Sequence, residues 1–109
     1  MHFDDYQRQA CRTRNFTLTE NEEKAAYALG LAGEAGAVVD YLKKVLFPGH
    51  IGNREILKRE LGDCLWYIAA LANKYDILMS SVAETNIAKL SARYAEGFTS
   101  KDSQERKDV

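Results

Sequence analysis

An all-α protomer of the four-helix-bundle type is the fold class this sequence predicts, and three observations predict it. Proline occurs once, at Pro48, so little interrupts a helix. Alternating Val/Ile/Thr-rich segments, the mark of half-buried strands, are absent. Apolar residues recur instead at three- and four-residue spacing, the period of one helix face. With 109 residues, the chain is most simply one domain, large enough to bury a core without disulfides or a structural metal.

The first helix is expected from about Asp4 to Arg14 and the second from about Asn21 to Phe47. Along the second, Ala28, Leu31, Ala35, Val38, Leu42 and Val45 form an apolar seam suited to a bundle. The segment "FPGHIGN" breaks the pattern: Pro48 stops the second helix, and Asn53 is placed to N-cap the third. The third runs from about Arg54 to Tyr75, with a seam of Leu57, Leu61, Cys64, Ile68 and Leu71. Its stretch "CLWYIAALA" is apolar on every side, and a helix apolar all round is buried all round. Four helices of this size leave part of it uncovered, so an oligomer is preferred over a compact monomer with this helix at its centre. The fourth helix is expected from about Met79 to Tyr94. Residues 1–98 then form a single domain, and "TSKDSQERKDV", residues 99–109, reads as a flexible polar tail.

Composition removes several function classes. A net charge of −1, with no block of lysine and arginine, argues against binding a nucleic-acid polymer or an acidic membrane surface. No apolar run approaches the roughly 18 residues of a membrane helix. The opening "MHFDDYQRQA" lacks the apolar core of a signal peptide, so a cytoplasmic protein is expected. Cys11 and Cys64 are not spaced as metal ligands, and Cys64 sits in an apolar run as a reduced thiol would.

The third helix carries acids where acids are costly. Glu60 and Asp63 lie three residues apart, so they emerge on one face, at the start of the all-apolar segment. Two like charges there call for a cation, and Lys58 and Arg59 point away from the stripe. If the second and third helices fold into an antiparallel hairpin around "FPGHIGN", Glu34 comes opposite this pair. Gly30, Gly33, Gly36 and Gly62 would let the two backbones approach closely. Packing glycines and surface acids are the plainer alternative. Oxygen ligands without His or Cys point to Mg²⁺, or Mn²⁺, rather than zinc. Magnesium commonly bridges to phosphate, which suggests a phosphorylated small molecule. On the fourth helix Asn86, Lys89 and Arg93 form a stripe able to bind a polyphosphate, or simply a solvated face.

Taken together, "GLAGEAG" with "VVDYLKKVLF", then "KRELGDCLWYIAALAN", then "NIAKLSARY" followed by "EGF" resemble the MazG-like all-α nucleoside triphosphate pyrophosphohydrolase family. The resemblance spans roughly residues 27 to 98. It implies an all-α fold assembled as a dimer or dimer of dimers. It also implies Mg²⁺-dependent hydrolysis of a (deoxy)nucleoside triphosphate to the monophosphate and pyrophosphate. The family's metal motif is E-x-x-E on one helix and E-x-x-D on the next. Glu34, Glu60 and Asp63 match three positions and would be both metal ligands and catalytic residues, one family glutamate helping to activate water. Asn86 and Lys89 would bind phosphate, with Arg93 adding charge. Tyr67 would contact sugar or base, and Gln7, in "YQRQACRT", would close over the base. Trp66 is expected on a different face from the acids, in core or interface.

Ala37 occupies the remaining ligand position, and Asp40, one turn further on, is not an obvious replacement. A chain that binds nucleotide but hydrolyses it poorly is therefore expected. The alternative is a non-catalytic nucleotide-binding or helical interaction module that kept the fold.

Overall fold

A computed structural model describes residues 1–47 and 49–109. Its helices are α1 (Phe3–Cys11), α2 (Glu20–Leu46), α3 (Arg54–Lys74), α4 (Met79–Arg93) and α5 (Ser100–Glu105). The all-α expectation holds, and each of the four expected helices is present. Pro48, expected to end α2, lies outside the described residues; the last turn of α2 closes with Phe47 N–H donating to the Lys43 carbonyl.

Local chemistry sets the starts of α2 and α3. Glu22 N–H donates to Thr19 Oγ1 at 3.2 Å while Thr19 N–H donates to Glu22 Oε1 at 2.9 Å, a reciprocal capping box. Asn53 caps α3 as expected, its side-chain oxygen accepting from Glu55 N–H at 2.9 Å. Between them the Tyr41 hydroxyl accepts from Asn53 N–H and donates to Asn53 O, bracing the turn of the α2–α3 hairpin. At the opposite end Lys74, on the last turn of α3, pairs with Glu20 and Glu23 on the first turn of α2. Arg14 also reaches Glu23, and the Tyr27 hydroxyl donates to it at 2.6 Å. Burial and this bond to a carboxylate push the Tyr27 phenol up to about 12.

The fourth helix begins differently. Leu78 offers no capping side chain, so the free N–H groups of the first turn of α4 must find acceptors elsewhere. They find them on α1. Met79 N–H donates to Gln7 Oε1 at 3.0 Å, and Ser80 N–H donates to Asp4 Oδ1 at 2.9 Å. The Ser80 hydroxyl adds a bond to Asp4 Oδ2 at 2.7 Å, and these two bonds hold the Asp4 carboxyl below its ordinary range. Thus α2 and α3 pair, α1 packs on α3, and α4 rests chiefly on α1. This is more open than the closed four-helix bundle that the seams suggest.

The openness is measurable. The Cα radius of gyration is 17.0 Å, against about 13 Å for a compact chain of this length. Ala10, Tyr27, Ala69, Ala70 and Met79 form the buried apolar set. Much of the expected seam stays partly in water, with Leu61 52% exposed. No helix among the described residues is long and apolar enough to cross a membrane.

Of the four glycines expected to allow close approach, only Gly30 does so within the chain. A Cβ there would overlap ring atoms Cδ1, Cε1 and Cζ of Tyr67 on α3, whereas at Gly33, Gly36 and Gly62 it would meet nothing within 4 Å. Gly30→Ala should therefore destabilise by roughly 1–3 kcal/mol through overpacking, despite a helix-propensity gain of about 1 kcal/mol. Gly33→Ala keeps only the gain. Paired thermal melts check the contrast, which vanishes if Tyr67 does not pack on Gly30.

Residues 99–109, expected as a flexible tail, carry structure. Thr99 Oγ1 accepts from Asp102 N–H at 3.0 Å and starts α5. Beyond it Asp108 folds back onto α4, where Arg93 binds both carboxylate oxygens at 2.7 Å. The reason lies in Arg93, whose half-buried guanidinium needs an acceptor that α4 does not supply.

Candidate functional site

The α2–α3 hairpin brings Glu34, Glu60 and Asp63 together. Each offers a carboxylate oxygen, and these atoms all lie within 4.8 Å of one another. Glu60 and Asp63 share a face because they are three residues apart on α3. Glu34 meets them because the short turn braced by Tyr41 returns α3 along α2. Glu34 and Glu60 are half-buried and Asp63 is exposed. Among the described residues no lysine or arginine pairs with any of the three. The nearby Lys58 pairs with Glu55.

Three converging carboxylates without a basic partner repel one another, and a hard divalent cation relieves that repulsion. An all-oxygen donor set, with two members sheltered and one open to solvent, fits Mg²⁺ or Mn²⁺ and leaves room for water or phosphate as further ligands. Ala37 lies one turn along α2 from Glu34, half-buried, and contributes no donor. Asp40 does not join the group, because it pairs with Lys44 at 2.8 Å.

Beside the acids lies a cleft of about 380 Å³ lined by Thr13, Glu34, Asp63, Trp66 and Tyr67. Tyr67 is where the sequence suggests. Trp66 is not, since it lines the same cleft as the acids. On a helix Trp66 and Tyr67 follow Asp63 by three and four residues and so flank it on either side. The indole is fixed by donating to Thr13 Oγ1 at 2.8 Å and to the Ala10 carbonyl at 3.1 Å. Its ring stands edge-on to Tyr67, with centroids 5.0 Å apart, and to Tyr27, at 5.4 Å. Thr13 belongs to the α1–α2 connection, where no helical period marks it. Burial, and then the Asp63 charge, raise the phenol of Tyr6 on α1 above its ordinary value.

The remaining expected residues lie elsewhere. Gln7 is buried, and its amide is spent: Nε2 donates to the carbonyls of Ala69 and Ile77, at 3.2 and 2.9 Å, while Oε1 holds Met79 N–H. With both amide hydrogens committed and the side chain buried, its expected contact with a base is corrected to a structural role. Asn86 and Lys89 line a separate cleft of about 510 Å³ with Ile77, Ser81, Val82 and Thr85. Arg93 is engaged by Asp108. Among the described residues, the cleft lined by Asn86 and Lys89 is distinct from the one lined by Glu34 and Asp63.

The model of the MazG nucleotide pyrophosphohydrolase domain matches residues 22–98. That span holds nearly all of α2, the whole of α3 and α4, and with them the three acids. The chain is also similar to the Gene 37 protein of Mycobacterium phage L5. The two are 39% identical over 105 residues, covering 89% of this chain and 92% of the phage protein. No solved structure matches significantly. The paired acid-bearing helices and the matched span lead to one conclusion: the chain belongs to the MazG nucleotide pyrophosphohydrolase domain family.

Proposed function

We propose that this chain is a Mg²⁺-dependent (deoxy)nucleoside triphosphate pyrophosphohydrolase whose activity is reduced because Ala37 stands at a ligand position. The observation that carries the reading is the convergence of Glu34, Glu60 and Asp63 within 4.8 Å, with no lysine or arginine paired to them among the described residues. In the proposed reaction a water oxygen attacks the α-phosphorus and the bond from that phosphorus to the bridging oxygen breaks. Nucleoside monophosphate and pyrophosphate result.

Glu34, Glu60 and Asp63 would hold Mg²⁺ (or Mn²⁺), which when bound supplies charge neutralisation and Lewis-acid polarisation of phosphate oxygens. A carboxylate of the same group takes the proton from the attacking water. Tyr67 and Trp66 offer edge and face to sugar or base. Asn86, Lys89 and Arg93 supply hydrogen bonds and positive charge to phosphate oxygens. Because α4 stands apart from the acids in the protomer, those groups serve the site through assembly. A homodimer or homotetramer would also cover the exposed Leu29, Val39, Leu46 and Leu61. The substrate would come from the cytoplasmic nucleotide pool.

The test is pyrophosphate release from a panel of deoxynucleoside triphosphates with and without Mg²⁺. Alongside it, Mg²⁺ should raise the melting temperature of the chain by relieving carboxylate repulsion. Glu60→Gln and Asp63→Asn should melt no lower in EDTA yet lose most of that Mg²⁺-dependent rise. A rise that survives both substitutions removes the metal assignment. A non-catalytic nucleotide-binding or helical interaction module is the second reading, and Ala37 is the observation that favours it. Nucleotide binding without turnover, even after Ala37→Glu, would select it.

A further inference from the structure

The α4 stripe assigned above to phosphate already holds an anion. Arg93 grips Asp108 with two parallel bonds, Nε to Oδ1 and Nη2 to Oδ2, both 2.7 Å. Arg106 adds weaker bonds at 3.3 and 3.4 Å, and Lys89 Nζ lies 3.9 Å from Oδ2. The Asp108 side chain is fully buried beneath these groups, at 0% exposure, while the adjoining Val109 is 90% exposed. None of the three cations has another carboxylate partner among the described residues. Two of these positive charges, Lys89 and Arg93, belong to α4 and stay when the segment carrying Arg106 and Asp108 moves, so one carboxylate leaves them a surplus of one. A phosphate group, with a charge of about −1.5 to −2 at neutral pH, balances the cluster better than one carboxylate does. It also accepts the same forked pair of bonds from Arg93.

The segment that delivers Asp108 is weakly held otherwise. The helix α5 has six residues and none is buried. It packs only slightly on the other helices. Just before it, the Phe98 ring meets the Tyr94 ring of the α4 end, centroids 5.3 Å apart. Arg106 adopts a left-handed backbone, φ 51°, which non-glycine residues seldom take. Its side chain points back at Asp108 from the segment itself.

We infer that residues 99–109 form a displaceable strap: the Asp108 carboxylate occupies the anion site of Lys89 and Arg93, and a phosphate-bearing ligand must expel it to bind. The strap is an internal competitor, and Arg106, carried on it, leaves together with Asp108 when the phosphate binds. The inference rests on the assignment of Lys89 and Arg93 to phosphate. It requires no turnover and no contribution from the acidic group.

Inorganic tripolyphosphate, without metal, is the probe. Calorimetric titration of the full chain and of Asp108→Asn should show tighter binding to the variant. The gain should be on the order of tenfold, because a tethered competitor acts at millimolar effective concentration. Hydrogen exchange on the unsubstituted chain is the second measurement, in which saturating tripolyphosphate should speed exchange of the amides of residues 100–109. Equal or weaker binding by a folded Asp108→Asn, or unchanged or slowed exchange in the strap, overturns the inference. A strap that opens in a chain that never releases pyrophosphate would sink the proposed activity alone. Turnover with an unresponsive strap would sink only this inference.

Discussion

Ala37→Glu is expected to raise Mg²⁺-dependent pyrophosphate release by about 10–100-fold, the scale set by altered metal shells in other sites. Position 37 is one turn from Glu34 on the same face of α2, so a glutamate there emerges beside it. Glu34, Glu60 and Asp63 already lie within 4.8 Å of one another, and a fourth carboxylate would complete a pair on each helix. The same substitution should lower stability in EDTA, because it adds a like charge to a group without a basic partner. Mg²⁺ should restore that stability and more. Rates on the deoxynucleotide panel, with melts in EDTA and in Mg²⁺, check both parts. If the variant is no faster and its melting responds to Mg²⁺ no more than the parent, position 37 is outside the metal shell.

Gln7→Ala should destabilise the chain by about 2–4 kcal/mol, through the cavity left and the polar groups stranded. In a domain of this size that lowers the melting temperature by roughly 10–20 °C. The substitution strands Met79 N–H and the Ile77 carbonyl and removes the second partner of the Ala69 carbonyl. Its cost falls on the joint between α1 and α4. Hydrogen exchange should therefore show the first turn of α4 opening before the α2–α3 hairpin does. The contrasting outcome is a raised KM for nucleotide with unchanged melting, which would return Gln7 to the substrate.

The parts of the fold legible in the sequence are those that local spacing determines. Asn53 could be read as a cap because capping spans two residues. Glu60 and Asp63 could be placed on one face because a helix turn spans three to four. Glu34 could be set opposite them because a single short break separates its helix from theirs. Other features depend on contacts between distant residues and carry no period. Gln7 bonds to partners 62 to 72 residues away, and nothing in "YQRQ" distinguishes a buried amide from an exposed one. Thr13 gains its place at the cleft from the Trp66 indole, 53 residues on. Trp66 reads as lying on another face when only the flank of α3 carrying Tyr67 is traced, although both residues adjoin Asp63. The order within residues 99–109 comes from Arg93, whose need for an acceptor is invisible in a polar, aperiodic segment.

The borrowed start of α4 has a consequence for motion. One short helix, α1, holds the Trp66 indole through the Ala10 carbonyl, and it grips the head of α4 through Asp4 and Gln7. These contacts make α1 a yoke between the aromatic wall and the cationic helix. A tilt of α1 that widened the cleft would swing Asn86, Lys89 and Arg93 in the same stroke, so under the proposed roles the aromatic wall of one site and the phosphate-binding groups offered by the same protomer would move together.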